Sequence, residues 1–370
     1  MVIFCQLFKL NLKIVYFVLK LFPIKKNKIV FISRQSNNPS FDFLMLKNEL
    51  LKINSNFEIV IITKKIEKGF KNYISYYFNL YTQMYHLATS KACVVDSYCI
   101  PVSVLKHKKK LKIIQIWHAM AAIKKFGYQS VGKKDGRGLK LAKVMKMHEN
   151  YDYVVSGSNV MIKYFSEAFN VSTDKFIVNG MPKMDYIFEN KEIIKNKILG
   201  KYNFLSEKKN VIYAPTFRAN EENKIAPLVD NFDYKNFNLI VKLHPKCPKI
   251  DNAKIITCDD FSSLELLTIA DYLITDYSAI SIEAAILNIP TILYLYDYDE
   301  YLYNNGLNID LFEELKPYVY KDYNGVIEAL KNKYNQNVIT NFKDKYSDGD
   351  IGKYTSKLAN FINKRMIEDD

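Results

Sequence analysis

Two of the five histidines stand at the ends of apolar, strand-forming runs. His118 closes on the run Lys112–Trp117, and His244 follows Asn238–Leu243 with Pro245 immediately behind it. Histidine titrates near neutral pH, so a loop that presents one to a cleft can take a proton from a hydroxyl nucleophile or return one to a leaving group. Pro245 restricts the backbone on both sides of its amide and so pins the loop that carries His244. Either histidine alone would suit a hydrogen-bonded structural role equally well. Their matching positions in two parts of the chain favour chemistry.

The cationic and hydroxyl side chains around them are of the kinds that bind phosphate. Lys124 and Lys125 follow His118 in the stretch WHAMAAIKKFG, and Lys242 precedes His244 in VKLHP. Thr216 and Arg218 end the run YAPTFR, where the planar fork of arginine suits a pyrophosphate. The most organised stretch is Leu266–Asp297. Its apolar run Tyr272–Asp276 ends on an acid, Ser278 opens a helical segment from Ala279 to Leu287, and Pro290 stops that segment before a second apolar run, Thr291–Tyr296. This is a β-α-β unit, which implies a parallel sheet. The helix would aim unpaired N–H groups at the crevice beyond the strand, with Ser278 as N-cap and Ser281 beside it, an outline of a phosphate site. Glu283, farther along, is placed to accept hydrogen bonds from ribose hydroxyls. A plain cap and a solvent-facing glutamate would carry the same letters. Asp276 reads as structural, holding the Ser278 loop.

Strand and helix patterns alternate along the chain. Ile29–Ser33, Phe57–Ile62, Cys93–Asp96, Lys112–Trp117, Tyr153–Ser156 and Lys175–Val178 read as strands of one doubly wound domain. A charged connector, Lys191–Lys209, leads to a second series: Asn210–Ala214, Asn238–Leu243, Lys254–Thr257, Tyr272–Asp276 and Thr291–Tyr296. The expected fold is α/β, with two doubly wound Rossmann-like domains at 28–200 and 201–345 and a cleft between them lined by strand ends. Residues 346–370 read as a helical tail returning to the first domain. Residues 1–27 read as an amphipathic helix ended by Pro23, with Lys9, Lys13 and Lys20 among apolar positions, which suits a membrane interface; a first core helix is the alternative.

The composition narrows the function classes. A chain of 370 residues with 49% hydrophobic content is folded rather than disordered. The 53 Lys and Arg against 39 Asp and Glu, net +14, favour anionic partners such as an anionic membrane surface or a phosphorylated substrate. Five cysteines without a CxxC pair exclude a disulfide framework and point to a reducing compartment. No apolar run reaches the roughly 20 residues of a membrane span. The tyrosines scatter through strands and helices and no nucleic-acid recognition motif appears, so a nucleic acid is not the expected partner.

Taken in order, WHAMAAIKKFG, the GMPKMD at 180–185, YAPTFR, VKLHP and TDYSAISIEA resemble the CDP-glycerol glycerophosphotransferase family of teichoic acid and capsule polymer enzymes. Asp348-Gly349 resembles the family's C-terminal element. The resemblance implies a GT-B fold and transfer of glycerol phosphate or ribitol phosphate from CDP-glycerol or CDP-ribitol to a hydroxyl of a lipid-linked or polymeric glycan acceptor. The enzyme would work as a peripheral protein on the cytoplasmic face of the membrane and release CMP. By the same resemblance His118 is the catalytic base and His244 a second essential histidine at the phosphates. Thr216, Arg218, Lys242, Asp276, Ser278, Ser281 and Glu283 serve the donor, and Lys124, Lys125 and Lys183 the acceptor or its phosphates. Many members carry a glycine where this chain has Ala119 and an arginine where it has Lys183, which weakens a bidentate phosphate contact at 183. No acidic cluster calls for a metal, and neither metal nor cofactor is expected, so lysines, Arg218 and the helix N-terminus would have to neutralise the pyrophosphate. The competing enzyme is a GT-B glycosyltransferase using a nucleotide sugar in surface polysaccharide synthesis.

Overall fold

The computed structural model describes residues 2–134, 136–216, 225–243 and 254–368. The chain forms two compact units, Met1–Met120 with Lys125–Tyr186 and Asp348–Asp370, and Ala121–Lys124 with Ile187–Ser347. The division falls after Tyr186, earlier than the boundary near 200 that the charge pattern suggested. The segment expected as a connector is instead folded: helix Lys191–Lys201 buries Ile194 and Ile198, an i,i+4 pair, and runs on to the second unit's first strand.

The first unit holds six parallel strands: β1 (Lys25–Ser33), β2 (Glu58–Thr63), β3 (Ser90–Val95), β4 (Lys112–Gln115), β5 (Tyr153–Ser156) and β6 (Phe176–Val178). Their order is β2-β1-β3-β4-β5-β6. Every residue of β3 is buried, as are the last six of β1, because helices cover both faces of a parallel sheet and the strands become continuous apolar runs. The register sets Ile32 beside Val95 and Val95 beside Gln115, so the residues that follow β1, β3 and β4 emerge in line.

Helix Phe41–Ile53, capped by Ser40, packs Phe43, Leu46 and Leu50 against Ile29, Phe31, Val94 and Ile114. The C-terminal helix Tyr354–Ile367 completes that core with Leu358, Ala359, Ile362 and Met366, spaced for one helical face. The expected return of residues 346–370 to the first unit is therefore an act of core formation. Two of the sequence motifs hold it there. Buried Asp185 of GMPKMD accepts from the Gly352 and Thr355 amides and the Thr355 hydroxyl at 2.6–2.8 Å. A Cβ on Gly180 would meet the Tyr354 ring at 2.4 Å. Asp348 accepts from the backbone and side-chain nitrogens of Asn159.

The second unit holds β7 (Lys209–Tyr213), β8 (Phe237–Val241), β9 (Tyr272–Thr275), β10 (Thr291–Tyr294) and β11 (Val319–Tyr320), parallel, in the order β11-β10-β9-β7-β8. The expected strand Lys254–Thr257 reduces to a single bridge between Ile240 and Ile256. β11, two residues long, carries too few letters to announce itself.

The first helix, α1 (Val2–Leu19), packs one side into the unit. Leu12 and Tyr16 are fully buried against the unit, whereas Leu7, Leu10, Ile14, Phe17, Val18 and Leu21 are exposed. No helix among the described residues is long and apolar enough to cross a membrane.

Candidate active site

In open α/β sheets, ligands sit beyond the carboxyl ends of the strands where the strand order reverses. In the first unit the reversal lies between β1 and β3, and in the second between β7 and β9. The candidate residues are described unit by unit.

At the first reversal, β1 runs out into Ser33, Arg34 and Gln35, and β3 into Asp96, Ser97 and Tyr98. The next strand, β4, delivers Trp117 and His118. Trp117 adopts φ 53°, a left-handed conformation that a bulky side chain rarely takes. Its amide donates to Gln115 Oε1 at 2.8 Å, and its ring stacks on Phe126 at 4.8 Å and meets Phe169 edge-on at 5.1 Å. This packing holds the turn and swings His118 out to solvent. Strain maintained by its surroundings marks positions under functional demand.

His118 Nδ1 lies 3.1 Å from the Asp96 carbonyl oxygen and 3.1 Å from the Gln35 side-chain amide. A carbonyl only accepts, so the Asp96 contact calls for the proton on Nδ1. That tautomer leaves Nε2 with a lone pair, the form a general base needs.

Three neighbours went unassigned in the sequence. Asp96 is buried, its Oδ1 has no hydrogen-bond partner, and burial pushes its carboxyl up to about 6. Arg34 and Arg137 both lie over the Tyr98 ring, at 5.0 and 4.8 Å from its centroid. Burial first, and then the Arg137 charge, hold the Arg34 guanidinium below its ordinary value. Burial, with those two arginines behind it, pulls His148 down to about 3, so this histidine stays neutral. Two guanidinium groups on one aromatic ring form a local positive field, suited to an anion. A strand-end rule applied to β1 would have found Arg34; Arg137, on a loop far along the chain, gives no local signal.

At the second reversal, the Asp276 carboxylate accepts from the Thr216 amide at 2.9 Å through both oxygens and from the Thr216 hydroxyl at 2.6 Å. Asp276 thus fastens the end of β7 to the end of β9. Ser278 stands one residue farther from the helix than a cap would. The N-cap of Ile280–Ile286 is Ala279, and Ser278 Oγ accepts from the Ile280 amide at 3.4 Å. Ser281 is fully buried and its hydroxyl donates to the Ser278 carbonyl, which shapes the turn. Glu283 is buried at 7% exposure rather than facing solvent. Lys242 Nζ donates to the Cys258 carbonyl at 3.2 Å.

Lys124 and Lys125 part company: Lys124 pairs with Leu307 in the second unit, and Lys125 belongs to the first. Lys183 begins the helix Pro182–Glu189 and donates its amide to Asp42 at 2.8 Å. Arg218 and His244 lie outside the described residues.

Two doubly wound units with their candidate residues at strand-order reversals define the two-domain α/β, GT-B-like class. Solved structures share it: the wall teichoic acid polymerase TagF matches with TM-score 0.74 and 21% identity over 96% of this chain and 93% of that one. The UDP-GlcNAc 2-epimerase of Methanocaldococcus jannaschii, solved with UDP-GlcNAc and UDP, matches with TM-score 0.61 and 16% identity over 91% and 99%. The family model for CDP-glycerol:poly(glycerophosphate) glycerophosphotransferase matches residues 14–364. The chain belongs to this family. A teichoic acid poly(ribitol-phosphate) polymerase of Bacillus spizizenii is 32% identical over 96% of this chain, which spans 59% of that enzyme. A teichoic acid ribitol-phosphate primase of the same organism is 29% identical over 92% of each chain, and a glycerol-phosphate primase of Bacillus subtilis is 30% identical over 77% and 76%.

Proposed function

We propose that the protein transfers a polyol phosphate, glycerol phosphate or ribitol phosphate, from a CDP-polyol to a hydroxyl of a teichoic acid or capsular polymer acceptor and releases CMP. The observation that carries this reading is His118 just past the end of β4, exposed on a strained turn with Nδ1 held at the Asp96 carbonyl. In this reading Nε2 takes the acceptor hydroxyl proton as the oxygen attacks the phosphorus that bears the polyol. The bond broken is the P–O bond within the pyrophosphate, and CMP leaves with the bridging oxygen. Arg34 and Arg137 draw in the anionic acceptor, a lipid-linked or polymeric phosphate, and Lys125 and Lys183 extend the same field. On the second unit, Lys242, Ser278 and the Thr216 loop hold the donor phosphates, and Glu283 accepts from the ribose. Arg218 and His244 are assigned to the departing phosphate on the resemblance alone. Stabilisation of the developing charge falls to these fixed cations and donors. Turnover proceeds without an added divalent metal. The exposed apolar face of α1 seats the enzyme peripherally on the cytoplasmic face of the membrane, where a lipid-linked acceptor would lie.

The test is the nucleotide product. CDP-glycerol, CDP-ribitol and a panel of nucleotide sugars are incubated with enzyme and acceptor under excess chelator, and the products are separated. CMP formed one for one with transferred polyol phosphate is expected. CDP or UDP as the product would instead mean attack at an anomeric carbon, and the glycosyltransferase reading would replace this one. His118→Ala should lower turnover by about a hundred- to ten-thousandfold with the fold intact.

A further inference from the structure

A cavity of about 600 Å³ lies in the first unit, on the side of the sheet away from the candidate active site. Its walls include Leu111 and Ile113 at the start of β4, Tyr151 and Asp152 just before β5, and Lys175 just before β6. These strands are parallel and His118 follows the far end of β4, so the cavity opens at the opposite edge of the sheet. Seven lysines line it against one lining carboxylate, Asp152, and one of the seven, Lys146, is paired with Glu149 at 2.6 Å. Lys20, Lys108 and Lys175 donate to the carbonyls of Lys106, Phe22 and Tyr151, contacts that position the ammonium groups without neutralising them. Burial, and then the Lys20 charge, hold Lys108 below its ordinary value. Such a concentration of like charge is unfavourable unless an anion shares the space.

The remaining wall is α1. Lys13, Tyr16, Phe17 and Lys20 face the cavity at i, i+3, i+4 and i+7. The adjoining stripe of that helix, Leu10, Ile14 and Phe17, is bare, and Leu21 in the turn just past its end is 76% exposed. Helix Phe70–Thr89 packs beside α1 and adds exposed Phe70 and Phe78. Exposed apolar side chains in this number on two neighbouring helices mark a surface that is covered in use. A soluble phosphate would satisfy the lysines and leave that face wet. A phospholipid satisfies both, with its phosphate among the ammonium groups and its acyl chains beside the apolar stripe.

We infer that the cavity beside α1 is a headgroup site for an anionic phospholipid of the bilayer. The inference rests on the membrane-seating reading of α1 and adds to it a lipid preference and an orientation, with the strand ends that carry His118 turned from the lipid-binding edge.

The experiment is vesicle flotation of the full chain, on phosphatidylcholine alone and on phosphatidylcholine containing phosphatidylglycerol. The test variant is Lys13→Gln/Lys106→Gln/Lys109→Gln, whose three side chains lack carboxylate partners among the described residues. The charge-matched control is Lys331→Gln/Lys333→Gln/Lys343→Gln on the second unit. A basic side chain near an anionic surface contributes roughly a fivefold factor in partitioning, so the triple variant should weaken binding to anionic vesicles on the order of a hundredfold. Its binding to phosphatidylcholine, and its thermal midpoint, should match wild type, and the control should bind as wild type. Lys109→Gln alone should lose about fivefold, which keeps the test sound if the triple variant folds poorly. Equal losses in test and control variants would overturn the site. So would binding of sn-glycerol 3-phosphate by wild type that the triple variant loses while it still floats normally, the mark of a soluble-anion site. Wild type binding both vesicles alike would remove the headgroup site and leave membrane seating intact. Wild type binding neither would remove the seating reading and the site together.

Discussion

Asp96→Asn should stabilise the protein, and more so as pH rises. The Asp96 carboxyl lies buried at the end of β3 with Oδ1 unpartnered, and burial raises it from an ordinary 3.8 to about 6. The folded state therefore holds this proton more tightly than the unfolded state does. Stability attributable to the group is fully present below pH 3.8, falls as pH rises, and is lost above about 6. The rise from 3.8 to about 6, at 1.36 kcal/mol for each pH unit, sets the full cost of the carboxylate at about 3 kcal/mol. By linkage the cost is about 1.6 kcal/mol at pH 5 and about 3 kcal/mol at pH 8, a difference of about 1.4 kcal/mol. The isosteric amide carries no charge and escapes this term. Urea denaturation of both proteins at pH 5 and pH 8 reads it directly: the variant's advantage should grow by about 1.4 kcal/mol between the two. An advantage that is constant or shrinks with pH would show that Asp96 is not a buried anion at neutral pH. A stabilising change that also slowed transfer would identify the carboxylate as a cost accepted for the site.

Asp276→Asn should destabilise the second unit by about 1–3 kcal/mol, since the amide nitrogen would face the Thr216 donors that both carboxylate oxygens now accept. Thermal melts with and without CMP read the loss, and an unchanged midpoint would mean the β7–β9 link is dispensable. Gly180→Ala drives a methyl into the Tyr354 ring and should release the helix Tyr354–Ile367, seen as faster amide exchange there and in Phe41–Ile53. Protection equal to wild type would refute the packing argument. Glu283→Ala should raise the CDP-donor concentration needed for half-maximal rate, by about 1.5–3 kcal/mol in donor binding, and weaken competition by CMP. Unaltered donor dependence would place the ribose elsewhere.

Local patterns determined much of this protein. Apolar runs bounded by Gly, Pro and polar residues placed nine of the eleven strands within a few residues of their observed limits and another, β3, by its buried core, because a buried parallel strand is written in consecutive letters. The βα turns after β4 and β9 were legible for the same reason, and with them His118, Asp276 and Ser278. Five motifs in order identified the family. Contacts between segments distant in sequence were decided by tertiary packing alone. The strand order that sets Ser33 and Gln35 beside Asp96 and His118 depends on which faces bury best, and no local letter records it. The partnership of Arg34 and Arg137 over Tyr98 spans more than a hundred residues, and GMPKMD reveals its structural part only when Gly180 and Asp185 meet the returning C-terminal helix. The cavity beside α1 is of the same kind. Its lysines come from four separate segments, and each alone reads as an ordinary solvated charge until folding sets them around one space.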